Sequence, residues 1–364
     1  MKNICFLNSI KFWGGGEKLH LENAIEFNKK DYNVTVAADP DSILWQKSLA
    51  QNLELSPITV SNISFLNPFK VLRFASFLKK TKIDTIVFSS SQDLKIGAIS
   101  GKLAGVKRIV YLRGLATPVK ANFINKFIFK SCLTHIIANS EETKRQILKN
   151  LNTHISNDKV HTIYHGIELD EKNTNKLEIV TKKASGIVIG NAGRLTDQKR
   201  QKDLIQIAKR LVERNIDFTL FIAGEGEERG SLEQEIKQNN LQDKVILLGF
   251  VEDMSTFMSS IDVFLLTSEW EGFGFVLVEA MMKSKPVLSY DITSNPEIID
   301  DNVTGYLIDF PNVDIFVEKL VTLIKNPDLR LQMGEAGLKR VKDKFILLER
   351  IDELEAKLLE NDYN

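Results

Sequence analysis

The chain of 364 residues has no uninterrupted apolar run of about 18 residues, the length a helix needs to cross a bilayer, so no spanning helix is expected. It has only two cysteines, Cys5 and Cys132, both in apolar surroundings. That usage reads as small core residues of a reducing compartment, not as a disulfide frame. Its five histidines are scattered singly, so a zinc cluster has no support. No internal repeat or low-complexity tract is visible. Met1-Lys-Asn-Ile-Cys5 runs straight into a strand, without the basic and then apolar pattern of a secretory signal, and a cytoplasmic protein is expected.

The net charge is also zero, but that balance hides an asymmetry. Residues 1–170 hold 23 Lys and Arg against 14 Asp and Glu, and the remainder holds 25 against 34. Within 45–135 the tally is 14 against 3. A basic first half points to an anionic partner. No RNA- or DNA-binding motif accompanies the charge, so nucleic acid is not expected.

What the chain does have is alternation. Short apolar runs at 3–7, 34–38, 85–88, 108–112, 135–138 and 160–164 are separated by helical patterns. A polar, aperiodic stretch at 168–183 then reads as a linker. The alternation resumes at 186–192, 218–223, 245–248, 263–266, 286–289 and 305–308, and the chain closes in helical segments ending with 346–360. Such a pattern means βαβ units and parallel sheets covered on both faces. Two doubly wound Rossmann-like α/β domains are expected, 1–170 and 171–344, facing across a cleft, with ligands beyond the carboxyl ends of the strands.

One such strand end reads Ser268-Glu-Trp-Glu-Gly-Phe-Gly-Phe-Val-Leu-Val-Glu279. Gly272 and Gly274 permit a tight turn and close backbone approach. A helix starting near Gly274 offers unpaired N–H groups and the positive end of its dipole. Glu271 lies at the turn and Glu279 within the helix, so an anionic ligand carrying hydroxyls would fit. The same residues also read as a capping turn followed by a solvated glutamate. A second strand end carries Gly193-Arg-Leu-Thr-Asp-Gln-Lys199, where Arg194 and Lys199 could clamp a diphosphate or be two surface cations. Trp13-Gly-Gly-Gly-Glu17 follows the first strand, but it is not a spaced dinucleotide fingerprint.

Taken in order, Gly14-Gly-Gly-Glu17, Asn139-Ser140, His165-Gly-Ile167, Gly193-Arg-Leu195 with Lys199, Ala223-Gly-Glu-Gly226, Glu271-x7-Glu279 and Pro286-Val-Leu-Ser … Asn295-Pro-Glu-Ile-Ile299 resemble the retaining GT-B glycosyltransferases of family 4 over nearly the whole chain. The resemblance implies a nucleotide-sugar donor, bound mainly by the second domain, and an acceptor held mainly by the first. It implies that Arg194 and Lys199 hold the donor diphosphate and that Glu279 accepts the ribose hydroxyls. Glu271 would meet the hexose hydroxyls, beside the backbone of Phe273, Gly274 and Phe275. Gly15 and Gly16 would close on the diphosphate. The base, expected to be uracil more than guanine, would lie near Gly249, Phe250, Val251 and the Gly224 loop. The last helix, within 345–364, would return to the first domain. No cofactor is implied beyond the donor itself.

Paired cations and helix N–H groups can stabilise the departing diphosphate without a metal. Asp39-Pro-Asp41 has the Asp-x-Asp spacing of metal-dependent enzymes of another fold, but it reads as a polar turn. Where many family members place a histidine near the reacting sugar, this chain has Arg113-Gly114. Arginine cannot act as a base at neutral pH, though it can donate to a phosphate or sugar oxygen. A same-face mechanism, in which the leaving phosphate takes the acceptor proton, fits that departure.

The expected activity is hexose transfer to a glycan or lipid-linked acceptor in polysaccharide, lipopolysaccharide or glycolipid assembly. A phosphorylase, an epimerase or a non-catalytic sugar-nucleotide scaffold are the alternatives. Helical projection adds a candidate partner, the anionic face of a membrane. In 68–80, Val71, Leu72, Ala75 and Leu78 form one face, while Phe77 falls among Lys70, Arg73 and Lys80. In 120–131, Phe123 and Phe127 fall among Lys120, Lys126 and Lys130. Rings interleaved with lysines suit a lipid headgroup boundary, and they equally suit helices covering a sheet.

Overall fold

A computed structural model of the chain describes residues 2–170 and 175–359. It divides into two compact units, one of residues 1–166 with 348–364 and one of residues 167–347.

The first unit carries seven strands: β1 Asn3–Asn8, β2 Asn33–Ala38, β3 Glu54–Pro57, β4 Thr85–Phe88, β5 Arg108–Arg113, β6 His135–Ala138 and β7 Val160–Thr162. They pair in parallel in the order β3-β2-β1-β4-β5-β6-β7. The inner strands β4, β5 and β6 are buried along their whole length, as a parallel sheet covered on both faces requires. Ile86, Phe88, Ile109 and Tyr111 meet Val71, Phe74 and Leu78 of the helix Pro68–Lys80, together with Ile128 and Phe129. The helix Ser91–Ala104 sits close above this face because Gly97 has no side chain; a Cβ there would lie 2.7 Å from the Phe88 ring. Truncating a fully buried ring such as Phe129 to alanine costs about 3–5 kcal/mol. The helix Leu347–Leu359 belongs to this unit from Leu348 onward. It buries Ile351, Leu354 and Leu358, and its Glu355 takes hydrogen bonds from Lys30 Nζ (2.6 Å) and Tyr32 OH (2.7 Å). Glu360, the last residue of the expected segment, lies outside the described residues.

The second unit has six strands: β8 Ile187–Ala192, β9 Phe218–Ala223, β10 Val245–Gly249, β11 Val263–Leu266, β12 Val287–Tyr290 and β13 Gly305–Ile308. All are parallel, in the order β10-β9-β8-β11-β12-β13. In both sheets the order reverses once, between β1 and β4 and between β8 and β11, and a doubly wound sheet opens a ligand crevice at that reversal.

Two sequence expectations are corrected. The stretch 168–183 is not wholly irregular: Glu178–Lys183 is a short helix, anchored by Val180 at 1% exposure and by Leu177 N–H donating to Ser260 Oγ at 2.7 Å. Residues 171–174 of that stretch lie outside the described residues. The edge strand β3 went unread because its residues are polar or half-exposed; its pairing with β2, not its pattern, makes it a strand.

Candidate functional site

The reversal between β8 and β11 brings together two side chains that lie 72 residues apart in sequence. Lys199 Nζ lies 2.6 Å from Glu271 Oε1, and the two side chains are only 16% and 9% exposed. Each is fixed by its own neighbours. Thr267 and Ser268, adjacent and fully buried just past the end of β11, serve one partner apiece: Thr267 Oγ1 donates to the Lys199 carbonyl (3.1 Å), and Ser268 Oγ donates to Glu271 Oε1 (2.6 Å). The two loops are also joined by Glu269 N–H donating to the Gln198 carbonyl (2.8 Å) and by Gln198 Nε2 donating to the Trp270 carbonyl (2.8 Å). From the end of β12, Thr293 Oγ1 accepts the Glu271 N–H at 3.0 Å.

After Lys199 the chain turns through Arg200, which has a φ of +48°, into the helix Gln201–Glu213. The Arg200 guanidinium donates two hydrogen bonds to Asp203, at 2.9 and 3.0 Å, and Asp203 also accepts from Tyr290 OH at 2.7 Å. Burial, then the Asp203 carboxylate, pushes the Tyr290 hydroxyl well above the usual phenol range. Arg194 behaves differently from Lys199. It is exposed and makes no side-chain hydrogen bond or ion pair among the described residues, while its carbonyl is held by Gln201 Nε2 at 3.0 Å. One cation of the expected clamp is therefore fixed, and the other is unpaired among the described residues.

Past the glutamate, Gly274 has a φ of +87°, a conformation that favours glycine, and it precedes the helix Phe275–Met282. No side chain caps that helix start. Gly272 is half-buried. The Phe273 ring is buried edge-on against Phe275 and Phe345, so only its backbone is available to a ligand. Glu279 is half-buried one turn into the helix. Gly224 is required for close backbone approach: its N–H donates to the Gly249 carbonyl at 2.7 Å, and a Cβ would lie 1.9 Å from the Gly193 carbonyl oxygen. Phe250 beside it is 74% exposed and Val251 half-buried.

In the first unit, Gly15 and Gly16 are exposed and open the helix Gly15–Lys29, whose start has no side-chain cap. Arg113 is only 7% exposed. Its Nη1 donates to Tyr111 OH (3.2 Å), and its Nη2 donates to the Thr117 carbonyl (2.6 Å). The expectation of a freely donating arginine is revised: this guanidinium anchors the loop after β5. Beside it, Asn139 Nδ2 reaches the Gly114 carbonyl (3.3 Å) and His165 Nε2 (3.3 Å), and burial holds the His165 imidazole down to about 3. Asp39 and Asp41 both face Lys11, at 3.5 and 2.9 Å. A polar knot at the ends of β1 and β4 was not foreseen. Asp93 accepts from Ser9 N–H and Oγ and from Ser90 Oγ, and burial raises its carboxyl. The Ser90-x-x-Asp93 spacing of a helix cap was the available signal. Thr267, Ser268 and Thr293 gave no such signal, because their roles depend on contacts between distant segments.

The basic face is partly redrawn. Phe77 packs inward, stacked on Phe74 with ring centroids 5.9 Å apart, whereas Leu72 of the expected apolar face is exposed. Phe123 is 86% exposed and Phe127 is exposed too. Ile63, Leu66 and Phe69 join them as exposed apolar side chains.

Two parallel sheets with flanking helices, and a cation–carboxylate pair at the crossover of one of them, define a GT-B type α/β glycosyltransferase. Residues 172–340 match the model of Glycosyl transferases group 1, and residues 13–171 match that of Glycosyltransferase Family 4. The chain belongs to this glycosyltransferase family. It is 27% identical to the UDP-Gal:alpha-D-GlcNAc-diphosphoundecaprenol alpha-1,3-galactosyltransferase of Escherichia coli, with 82% of this chain and 81% of that protein covered. It is 29% identical to a Campylobacter jejuni N-acetylgalactosaminyltransferase acting on N-acetylgalactosamine-N,N'-diacetylbacillosaminyl-diphospho-undecaprenol, over 76% of each chain. Among solved structures, Anabaena HepE in complex with UDP and glucose shares the fold, with a TM-score of 0.85 at 20% identity over 99% of this chain and 100% of that one.

Proposed function

We propose that the protein moves a hexose from a UDP-sugar to a glycan or lipid-linked acceptor with retention of anomeric configuration and without a metal ion. The observation that carries this reading is the Lys199–Glu271 pair at the β8/β11 reversal, with Arg194, which pairs with no side chain among the described residues, on the same loop as Lys199. Arg194 and Lys199 take the diphosphate, aided by the uncapped N–H groups at the start of the helix Phe275–Met282. Glu271 accepts from hexose hydroxyls, and Glu279 accepts from the ribose. The base lies near Gly224, Gly249, Phe250 and Val251.

As the bond from the anomeric carbon to the diphosphate oxygen breaks, that oxygen keeps the electron pair and the sugar gains oxocarbenium character. The acceptor oxygen then bonds to the anomeric carbon on the same face, and its proton passes to the departing phosphate. This step asks for no protein base, in keeping with a tied arginine at Arg113.

The reading locates the reaction at the cytoplasmic side of an anionic membrane. Relatives named for diphosphoundecaprenol substrates support a lipid-linked acceptor, and the surface of the first unit supports the membrane. Residues 55–83 carry five Lys or Arg and no carboxylate, next to the exposed Ile63, Leu66, Phe69 and Leu72. No helix among the described residues is long and apolar enough to cross a bilayer.

A panel of nucleotide sugars with diphosphoundecaprenol-linked acceptors, read by product NMR, tests the chemistry. The reading expects a UDP-sugar to be used and the α-linked donor to give an α-linked product; a β-linked product would overturn retention. Cosedimentation with vesicles tests the membrane. Binding to anionic vesicles, weak to neutral ones and reduced by salt, is expected for the wild type, and Phe69→Ser should weaken it about tenfold or more. Equal binding to neutral vesicles would remove the membrane from the reading.

A further inference from the structure

We infer that Thr293 is a positioning residue for Glu271, held in a strained backbone so that its hydroxyl can fix the catalytic turn. The inference rests on the reading of Glu271 as the hexose contact. Thr293 has a φ of +42°, and a β-branched side chain in that left-handed region is an outlier. Such a conformation persists only where the surroundings over-determine it, and it gathers at functional sites.

The surroundings here do over-determine it. The turn after β12 closes on itself through Ile292 N–H to the Tyr290 carbonyl (3.0 Å), Asn295 N–H to the Ile292 carbonyl (3.0 Å) and Asn295 Nδ2 to the Tyr290 carbonyl (3.1 Å). Tyr290 is itself fully buried and locked through its hydroxyl to Asp203, which holds Arg200, the residue following Lys199. One hydrogen-bonded chain thus runs from the Thr293 turn to the Lys199 turn.

The strained conformation brings Thr293 Oγ1 to the Glu271 N–H at 3.0 Å. Glu271 is then gripped at both ends: its backbone by Thr293, and its Oε1 by Lys199 and Ser268, each at 2.6 Å. Its Oε2 accepts no hydrogen bond among the described residues. That oxygen is the one left to take a sugar hydroxyl, in a direction set by the two grips. When the diphosphate draws Lys199 away, Ser268 still holds the carboxylate and Thr293 still holds the backbone N–H behind it. A threonine serving only to shape the loop would do none of this, and glycine would suit its φ better.

Three variants separate these roles in calorimetric titrations with UDP and with whichever of UDP-glucose, UDP-galactose and UDP-N-acetylglucosamine the wild type binds most tightly. Thr293→Val keeps the branched shape and loses the hydroxyl. Thr293→Gly relieves the backbone and also loses the hydroxyl. Thr293→Ser keeps the hydroxyl. The expected result is a loss of about tenfold in sugar-nucleotide affinity for Thr293→Val and Thr293→Gly, with UDP affinity within about twofold of wild type. Thr293→Ser should stay within about twofold for both ligands, and Thr293→Gly should melt no lower than wild type. Wild-type sugar-nucleotide binding by the Val or Gly variant, a Ser variant as weak as Val, or UDP affinity falling in parallel would overturn the proposal. Glu271→Gln tests the underlying reading separately. If it too leaves sugar-nucleotide binding intact, the hexose role itself fails; if it weakens binding while Thr293→Val does not, only the role of Thr293 fails.

Discussion

The carboxyl ends of the two sheets are built from the same βαβ units but use their polar side chains differently. In the first unit, Arg113 bonds within its own loop, and Asn139, His165 and Asp93 are engaged by neighbouring strand-end segments. In the second, Arg194 makes no side-chain hydrogen bond or ion pair among the described residues and Glu271 keeps one oxygen open, while Lys199, Ser268 and Thr293 hold the turn behind them. Shared architecture does not dictate shared use; the difference lies in which side chains are left unsatisfied at the strand ends. The units also differ in titration. All five histidines lie in the first unit and none in the second.

The largest expected effect sharpens this comparison through two arginines. Arg194→Ala should slow transfer by about 10²-fold or more while changing stability by less than about 0.5 kcal/mol, because the side chain is exposed and unpaired among the described residues, and in the proposed function it meets the leaving group. Arg113→Ala should do the reverse. It removes a buried donor from the Thr117 carbonyl, so a loss of about 1–3 kcal/mol in unfolding free energy is expected. Chemical denaturation and steady-state kinetics on the two variants check both halves. If Arg194→Ala unfolds the protein and Arg113→Ala leaves stability intact, the contrast between the two strand ends is broken.

A smaller effect comes from pH. Burial holds both His20 and His165 at about 3 in the folded chain, below the usual imidazole value near 6.5. The folded state therefore binds fewer protons than the unfolded one between those values. The stability these groups contribute is fully present above pH of about 6.5 and falls as pH drops toward 3. For His20, which is 1% exposed, that amounts to about 2 kcal/mol by pH 5. Hydrogen exchange resolved by peptide should show the first unit opening more readily at pH 5 than at pH 7.5. The second unit, lacking histidine, should change less, and His20→Leu should lessen the difference. Equal changes in both units would count against this assignment.

Much of the fold could be read from the sequence, because local patterns carry it. Apolar runs of strand length separated by helical periods gave two parallel sheets, and glycine turns at strand ends marked Gly272, Gly274 and Gly224. Lys199 and Glu271 were legible as ligand-seeking charges, but their pairing was not, since 72 residues separate them. The contact of Arg113 is local, yet nothing in Arg113-Gly114 announces that the Thr117 carbonyl, four residues on, turns back to accept its guanidinium. Phe77 was misplaced because a helical projection cannot tell which side meets the sheet when apolar residues occupy both. Thr293 was invisible, since a positive φ at threonine is imposed by the surrounding turn and not by the residue.

The most direct test of the central claim is a calorimetric titration of UDP into the wild type and into Lys199→Ala, each in excess EDTA. The account predicts that the wild type binds UDP without a metal, and that the variant binds it about tenfold or more weaker, because a charge-assisted contact to the diphosphate is lost. Wild-type binding that vanishes in EDTA and returns with magnesium or manganese, or a Lys199→Ala variant that binds UDP as the wild type does, would contradict it.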